Sequence, residues 1–505
     1  MMPAVKTNPG LLSELLQGIA EVAGSDNREI AEINIDSRQV GSNDLFIALP
    51  GTENHGLSYL PGVVKSGAAC VLFDNDVAEK FQSLLKEFSK KIVQIKVNDI
   101  NHVAGVVIDR FYNSPSHKMQ VVGITGTDGK TSVSRFLAQV MNDDMKSAVI
   151  GTTGNGLWGD IKDSTHTTPD VLSLHKLLSQ FNKQNAELVS MEVSSHGIKQ
   201  QRIAGVEIET AVLTNVSRDH IDYHGSVENY RQVKKQLFSQ ASVKNIVLNL
   251  DDATGVELLQ QLKAEKNVWG YSLNASCHDL ENCVYAESVS VESSGFSVAV
   301  VTPAGKTDVY VPLLGRFNIA NVLSVLCVLL INKIGLKESI AKIEKLKTAP
   351  GRMELFSGNE KASVVVDYAH TPKALEMALL AVSEHCVGKL WCVFGCGGDR
   401  DKGKRALMGT VAERLADRVI VTNDNPRTES PADIIGDILS GFNSQKNVDV
   451  MSDRAEAIRY ACENAAVTDV VLVAGKGHEE YQIIADTKIP FSDRKEVIKN
   501  LGGLH

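Results

Sequence analysis

Two apolar periods alternate along this chain and divide it into regions. Short runs of Val, Ile and Leu give way to polar segments whose apolar residues fall at i, i+3 and i+4, the pattern of a strand followed by an amphipathic helix. Strands are expected at 32–35, 45–49, 68–73 and 92–97, with helical patterns between and after them. A second region opens near Phe111, with strands expected at 120–124, 147–150, 187–193, 210–215 and 245–250. Between Tyr285 and Leu314 the period becomes two, as in Val289-Ser-Val-Glu and Asp308-Val-Tyr-Val-Pro, which predicts an antiparallel flap. Helices over 318–333 and 337–346 follow, and Ala349-Pro350-Gly351 marks a boundary. Beyond it, strands are expected at 362–367, 390–394, 418–422 and 469–474. Strand–helix alternation implies parallel sheets with helices on both faces. The expected fold class is α/β in three domains. A small N-terminal α/β domain covers 1–110, a central domain with a parallel sheet and the flap covers 111–348, and a Rossmann-like domain covers 349–505.

Composition changes that picture little. A chain of 505 residues is too long for one core, and 43% apolar with 22% charged residues describes an ordinary globular protein. A net charge of −9 and the lack of a basic stripe argue against nucleic-acid binding. The eight cysteines form no Cys-x-x-Cys pair and read as reduced, mostly buried thiols of a cytosolic protein. The start of the chain has no signal-peptide core, and the residues before about Leu11 read as a disordered tail. The most apolar stretch, 322–331, is about half the length needed to span a bilayer, so a core helix and no membrane insertion are expected. No solenoid repeat or low-complexity segment is present.

The candidate chemistry is concentrated in loops that follow strands. Val121-Val-Gly-Ile-Thr-Gly-Thr-Asp-Gly-Lys-Thr-Ser132 runs from a strand through a glycine turn into a helix carrying Val133, Phe136, Leu137 and Val140 on one face. Such a turn aims N–H groups and a helix N-terminus at an anion. Lys130 would reach the β/γ-phosphates of a nucleotide and Thr131 would place a hydroxyl on Mg²⁺. Ile124 stands where the strict phosphate-loop pattern has glycine, so Gly123, Gly126 and Gly129, spaced by three, make a variant. Glu192, in Met191-Glu-Val-Ser-Ser-His-Gly197, ends an apolar strand, where a bare charge is costly; a Mg²⁺ would relieve it. Thr167-Thr-Pro-Asp170 reads either as a pyrophosphate contact or as a helix cap with Pro169 near N1. Ser217-Arg-Asp-His-Ile-Asp-Tyr-His-Gly225 puts His220 and His224 four apart, though Gly225 favours a loop. Lys234 and Lys235, in a helical pattern over 230–238, read locally as a solvated pair.

Other loops are also candidates. Asp36-Ser37-Arg38 and Gly51-Thr-Glu-Asn-His-Gly56 follow the first two strands. In the last region Asp367-Tyr-Ala-His-Thr-Pro372, Gly395-Cys-Gly-Gly-Asp-Arg400, Asn423-Asp-Asn-Pro-Arg427 and Gly475-Lys-Gly-His-Glu479 each follow a strand. Four polar loops at one end of a sheet make a site, because open α/β sheets bind ligands at the carboxyl ends of their strands.

Together these segments resemble the Mur ligase family. The likeness rests on Gly126-Thr-Asp-Gly-Lys-Thr131, Glu192-Val-Ser-Ser-His196, Thr214-Asn-Val-Ser-Arg-Asp-His-Ile-Asp-Tyr-His-Gly225, Gly315-Arg-Phe-Asn318 with Asn321, Gly351-Arg-Met-Glu354, the Asp367 loop and Gly397-Gly-Asp-Arg-Asp-Lys-Gly-Lys404. It runs in family order from about Asp36 to Arg494. Asp424-Asn-Pro-Arg427 resembles the signature of members that add meso-2,6-diaminopimelate to the D-Glu γ-carboxylate of UDP-N-acetylmuramoyl-L-Ala-D-Glu.

The resemblance implies ATP and two Mg²⁺ sites, an acyl-phosphate intermediate, and a cytoplasmic monomer acting in peptidoglycan synthesis. It implies that Gly126, Thr127, Asp128, Gly129, Lys130, Thr131, Ser132, Asn321, Arg352, Asp367 and His370 hold ATP. Ser37, Thr167, Thr168, Ser194, Gln200 and Arg202 would hold the UDP-sugar peptide. Arg400, Asp424, Asn425, Pro426, Arg427, Gly475 and Glu479 would hold diaminopimelate. Thr131, Glu192, His220 and an N-carboxylated Lys234 would bind metal, with Lys130, Lys234 and His220 catalytic. Asp128 stands where many relatives have Asn. Alternatives are a lysine-adding homologue, a folylpolyglutamate-synthetase-like ligase and, outside ligases, a P-loop nucleotide switch.

Overall fold

The computed structural model describes residues 10–51, 54–164, 166–275, 277, 280–358 and 360–502. The expected tail before Leu11 therefore falls mainly outside the described residues, as do Thr52 and Glu53 of the second candidate loop. Contacts gather the chain into two compact units, Met1–Gly270 and Tyr271–His505. The expected boundaries near 110 and 349 fall inside these units.

In the first unit, strands Ile33–Asn34, Leu45–Ile47, Cys70–Asp74 and Val93–Val97 form a parallel sheet in sequence order. Its residues alternate between two cores. Ile33, Leu45, Ile47, Cys70 and Leu72 pack with helix Ile100–Phe111 on one face, while Phe46, Val71 and Phe73 pack with Leu57, Leu60 and Val63 on the other. Burial on both faces explains why these strands read as continuous apolar runs. Helix Ile100–Phe111 lies so close to the Ala204 turn that a Cβ on Gly105 would stand 2.2 Å from the Ala204 carbonyl oxygen.

The second sheet of this unit has a parallel centre. Ser147–Gly151, Leu188–Glu192, Gln120–Thr125, Thr210–Leu213 and Asn245–Asn249 are neighbours in that order. Gly154–Leu157 and Asp160–Lys162 extend one edge as an antiparallel hairpin that the sequence reading did not anticipate. Register sets the ends of the strands level: Ile124 faces both Glu192 and Val212, and Met191 faces Ile150. The glycine turn, Glu192, Thr214 and Thr152 thus leave the sheet at one height.

In the second unit Cys283–Glu292, Gly295–Thr302 and Gly305–Val311 form the expected antiparallel flap. A six-stranded sheet follows in the order Glu354–Phe356, Ser363–Asp367, Val470–Ala474, Leu390–Phe394, Arg418–Val421 and Val448–Val450, parallel except for its first pair. Asp367 and Phe394 both face Ala474, and Phe394 faces Val421, so the four polar loops rise from one edge. Behind that edge the fully buried Arg454 forms a two-pronged pair with Asp493, Nε to Oδ1 and Nη2 to Oδ2, both at 2.7 Å. Its Nη2 also donates to the Ala474 carbonyl at 2.9 Å.

One expectation needs correction. Cys277 and Cys283 are joined in a disulfide, with their Cα atoms 5.9 Å apart. Cys70, Cys327, Cys386, Cys392, Cys396 and Cys462 are free thiols, all buried except the half-buried Cys386. Helix Phe317–Ile331 is a buried core helix, as expected. Among the described residues no helix is long and apolar enough to cross a membrane.

Candidate functional site

The glycine turn sits between the strand ending at Thr125 and helix Lys130–Met141, for which Gly129, at φ 85°, is the cap. The loop over 214–217 braces it. Asn215 grips the Asp128 peptide at both ends: Oδ1 accepts from Asp128 N at 3.0 Å and Nδ2 donates to Asp128 O at 3.1 Å. Thr214 Oγ1 donates to Asp128 O at 2.6 Å. A Cβ on Gly126 would lie 1.8 Å from Thr214 Oγ1 and 3.1 Å from Asn215 N and O, so the turn closes only around a bare Cα. Gly126→Ala is therefore expected to destabilise the chain by about 1–3 kcal/mol, because the loop must shift to admit the methyl group. A denaturant unfolding curve measures it.

Two amines converge on one carbonyl. Lys130 Nζ donates to Gly126 O at 2.9 Å and to Thr127 O at 2.8 Å. Lys234 Nζ donates to the same Gly126 O at 2.6 Å and sits 4.5 Å from the Tyr230 ring centre. Lys234 and Lys235 are both buried, which corrects the reading of a solvated pair: helix Val227–Lys235 turns them inward. Burial, and then the charge of Lys130, push the Lys234 ammonium down to about 6, so the amine is largely neutral at pH 7. Burial lowers Lys130 as well.

Glu192 is 1% exposed and accepts Thr131 Oγ1 and Thr152 N at 2.9 Å and Thr152 Oγ1 at 3.2 Å. Burial raises its pKa, and among the described residues no cation lies within ion-pair distance of it. A carboxylate held by neutral donors beside a threonine hydroxyl fits a hard, oxygen-preferring divalent cation. His220 is exposed, at φ 51°, and starts the single turn Ile221–His224 where a loop was expected. Its ring centre is 5.0 Å from that of His196 and 6.3 Å from that of Tyr230. His224 is instead buried, with Nε2 3.0 Å from Ser195 Oγ.

Five of the residues expected to hold the UDP-sugar peptide share one network. Thr168 Oγ1 donates to the Glu192 carbonyl and accepts from Ser194 N, both at 2.9 Å. Arg202 Nη1 donates to Thr168 O at 2.7 Å, and its Nε donates to Gln200 Oε1 at 3.0 Å. Thr167 Oγ1 is 2.9 Å from Thr152 Oγ1. Asp170, not Pro169, begins the following helix: it caps Val171–Lys183 by accepting from Ser173 N. Ser37 stands apart from these five, on the wall of a cavity of about 820 Å³ shared with Asn34, Phe46, Asp170 and Lys176. Arg38 is tied to Asp36, whose carboxyl it holds down at about 2.

In the second unit Arg352, Asp367 and His370 come together. Asp367 accepts from Met353 N and Ala369 N, the Arg352 guanidinium lies 4.7 Å from the Tyr368 ring centre, and the His370 ring packs on the same tyrosine. Asn321 lies on helix Phe317–Ile331, donating to Asn318 Oδ1. The loops around Asp424 hold a second cluster. Asp424 and Asn425 are buried, and burial raises the Asp424 carboxyl. Asn425 Nδ2 donates to Glu479 Oε2 at 3.0 Å. Arg427, at φ 51°, donates from Nη1 to Gly398 O at 2.7 Å, while its backbone pairs with Ile483 and Ala485 of hairpin Tyr481–Pro490. Exposed Arg400 donates to Asp399 O, and Gly475 and Pro426 are buried in the loops between. Sequence reasoning missed Asn215, Tyr368 and above all Lys476, which is fully buried among these loops. Its place between two glycines at a strand end was the available signal.

Three family descriptions match in order: Mur ligase family catalytic domain over 29–112, Mur ligase middle domain over 124–329, and Mur ligase glutamate ligase domain over 351–477. A relative from Coxiella burnetii named UDP-N-acetylmuramoyl-L-alanyl-D-glutamate–2,6-diaminopimelate ligase is 43% identical, covering 98% of this chain and 100% of that one. A relative of the same name from Alkalilimnicola ehrlichii is 44% identical over 97% of this chain and 98% of its own. A solved structure bearing that name superposes with a TM-score of 0.76 at 34% identity, covering 98% of this chain and 99% of the other. Likeness of this extent, carried in order through 29–112, 124–329 and 351–477, shows that the chain belongs to the Mur ligase family.

Proposed function

We propose that this Mur ligase joins meso-2,6-diaminopimelate to the D-Glu γ-carboxylate of UDP-N-acetylmuramoyl-L-Ala-D-Glu, using ATP, in peptidoglycan synthesis. The observation that carries this reading is the pairing of two sites in one chain. One is a glycine turn whose Gly126 carbonyl accepts from both half-buried Lys130 and buried Lys234. The other is a loop cluster that carries the Arg427 guanidinium, held by Gly398 O, and the carboxylates of Asp424 and Glu479. A diamino diacid presents a carboxylate and an ammonium at its distal centre, and this cluster carries the complement of both.

The γ-carboxylate attacks the γ-phosphorus of ATP, breaking the bond to the β-phosphate oxygen and releasing ADP. The diaminopimelate amine then attacks the acyl phosphate, loses a proton, and expels phosphate as the amide forms. Two anions must meet in the first step, so positioning and charge neutralisation dominate. Lys130 supplies a cation at the phosphates, and Gly126, Thr127, Asp128, Gly129, Thr131 and Ser132 supply the turn and the helix start. Asn321, Arg352, Asp367 and His370 bind the rest of the nucleotide. The Thr167–Thr168, Ser194, Gln200 and Arg202 network and Ser37 hold the UDP-sugar peptide.

Thr131 and Glu192 would hold one Mg²⁺, and His220 with an N-carboxylated Lys234 a second. Bound there, the metal would offset the negative charge shared by phosphate and carboxylate. Neutral Lys234 is the form that adds CO₂, and the resulting carboxylate on a long stem suits Mg²⁺. The division of labour follows 1–110 for the UDP-sugar, 111–348 for ATP and 349–505 for the amino acid, in a monomer of the cytoplasm. Purified chain with ATP, Mg²⁺ and the UDP-muramoyl dipeptide should release phosphate and gain product mass with diaminopimelate and scarcely with lysine. ATP hydrolysis indifferent to both substrates would contradict it.

A further inference from the structure

Lys476 is fully buried between Gly475 and Glu479. Its Nζ donates to Asn425 Oδ1 at 3.0 Å and to Glu479 Oε2 at 2.9 Å, and stands 3.8 Å from Asp424 Oδ1. An ammonium has three protons, and this one faces three oxygens. The orientation of the Asn425 amide follows from it. Ile483 N also donates to Oδ1, at 2.9 Å, so two donors fix the oxygen and Nδ2 is turned onto Glu479 Oε2. Both of these bonds to Glu479 fall on Oε2, which leaves Oε1 to a donor from outside.

Charge points the same way. The buried Asp424 carboxyl is raised by burial and by nearby Glu479 and lowered by Arg454 and Lys476. Arg454 is held in the Asp493 pair, and Lys476 is the cation that reaches both carboxylates, 2.9 Å from Glu479 Oε2 and 3.8 Å from Asp424 Oδ1. We infer that Lys476 is a positioning residue that sets amino-acid specificity: it neutralises one of the two carboxylates and aims the other at the distal ammonium of the incoming diamino acid. This rests on the proposed function, and it assigns a role to a side chain that would otherwise count as internal bracing.

Steady-state kinetics of the full chain with Lys476→Met and Lys476→Gln test it, each substrate varied in turn and thermal unfolding recorded alongside. Lys476→Met should raise the KM for diaminopimelate about 30- to 100-fold, as expected when one partner of a buried hydrogen-bonded charge set is removed. The KM values for ATP and the UDP-muramoyl dipeptide should stay within about twofold, since those sites lose no contact. Lys476→Gln still donates a hydrogen bond but carries no charge, so its KM for diaminopimelate should lie between parent and Met; it also serves if the Met variant does not fold. A comparable rise in all three KM values, or an unchanged diaminopimelate KM in a folded variant, overturns the inference. A parent chain that makes no diaminopimelate product sinks the functional reading itself. An active parent with unmoved variants sinks only the role of Lys476.

Discussion

Lys234→Arg is expected to lower turnover about 1,000-fold or more, the scale of losing a fixed charge that acts on the transition state, while the chain stays folded. Arginine puts a permanent positive charge near Gly126 O and has no neutral amine to add CO₂ at any ordinary pH. The carbamate can be read directly: with ¹³C-labelled bicarbonate the parent should show a carbamate carbon that the variant lacks. Its pH dependence has a definite sign. The Lys234 value is lowered to about 6, so the reactive neutral amine prevails above that pH and is lost as pH falls through it. Between about 6 and the free-lysine value of 10.5 the folded chain holds fewer protons here than the unfolded chain, so this group favours folding more as pH rises across that window. Full activity of Lys234→Arg at ambient CO₂, or a carbamate signal undiminished well below pH 6, would contradict the assignment.

Arg427→Ala should raise the KM for diaminopimelate about 100- to 1,000-fold and leave that for ATP within about twofold. The structure makes the arginine hard to replace. It is held in a left-handed conformation, at φ 51°, that a non-glycine residue adopts only when its surroundings impose it. Those surroundings are Ile483 O on its N–H, Ala485 N on its carbonyl, and Gly398 O on Nη1. The adjoining turn is pinned by Asp399, which accepts from Thr428 Oγ1 at 2.9 and 3.0 Å, and by the Arg405–Glu429 pair. Arg427→Lys should recover little, because a point charge cannot match a carboxylate with two parallel donors. Lysine as substrate lacks that carboxylate, so its residual use should barely change in Arg427→Ala. Equal losses for ATP and diaminopimelate would argue against the role.

The two periods along the chain foretold nearly every central strand, because strands buried on both faces are written as unbroken apolar runs. Leu390–Phe394 falls where expected, and Ser363–Asp367 begins one residue late. The edges were harder. Hairpins Gly154–Lys162 and Tyr481–Pro490 carry mixed, half-exposed side chains whose pairing is set by turns rather than by burial. The phosphate turn was legible because local geometry demands glycine at fixed positions. Lys234 and Lys476 were not legible from local pattern, since a lysine's burial is decided by what folds over it, and composition alone suggests solvent. The Cys277–Cys283 bridge escaped for a related reason: a separation of six matches no familiar pairing motif, so the spacing gave no signal.

The Arg454–Asp493 pair gives the far end of the chain an importance that its distance from any reacting group conceals. Asp493 opens helix Asp493–Asn500, the last among the described residues, so a stop codon just before it would spare every side chain assigned to substrate. It would also strand a positive charge in the interior, against the Ala474 carbonyl and beside Asp424. A nonsense allele that late should therefore behave as a complete loss of function, and a carboxy-terminal fusion is safest when it leaves that helix whole.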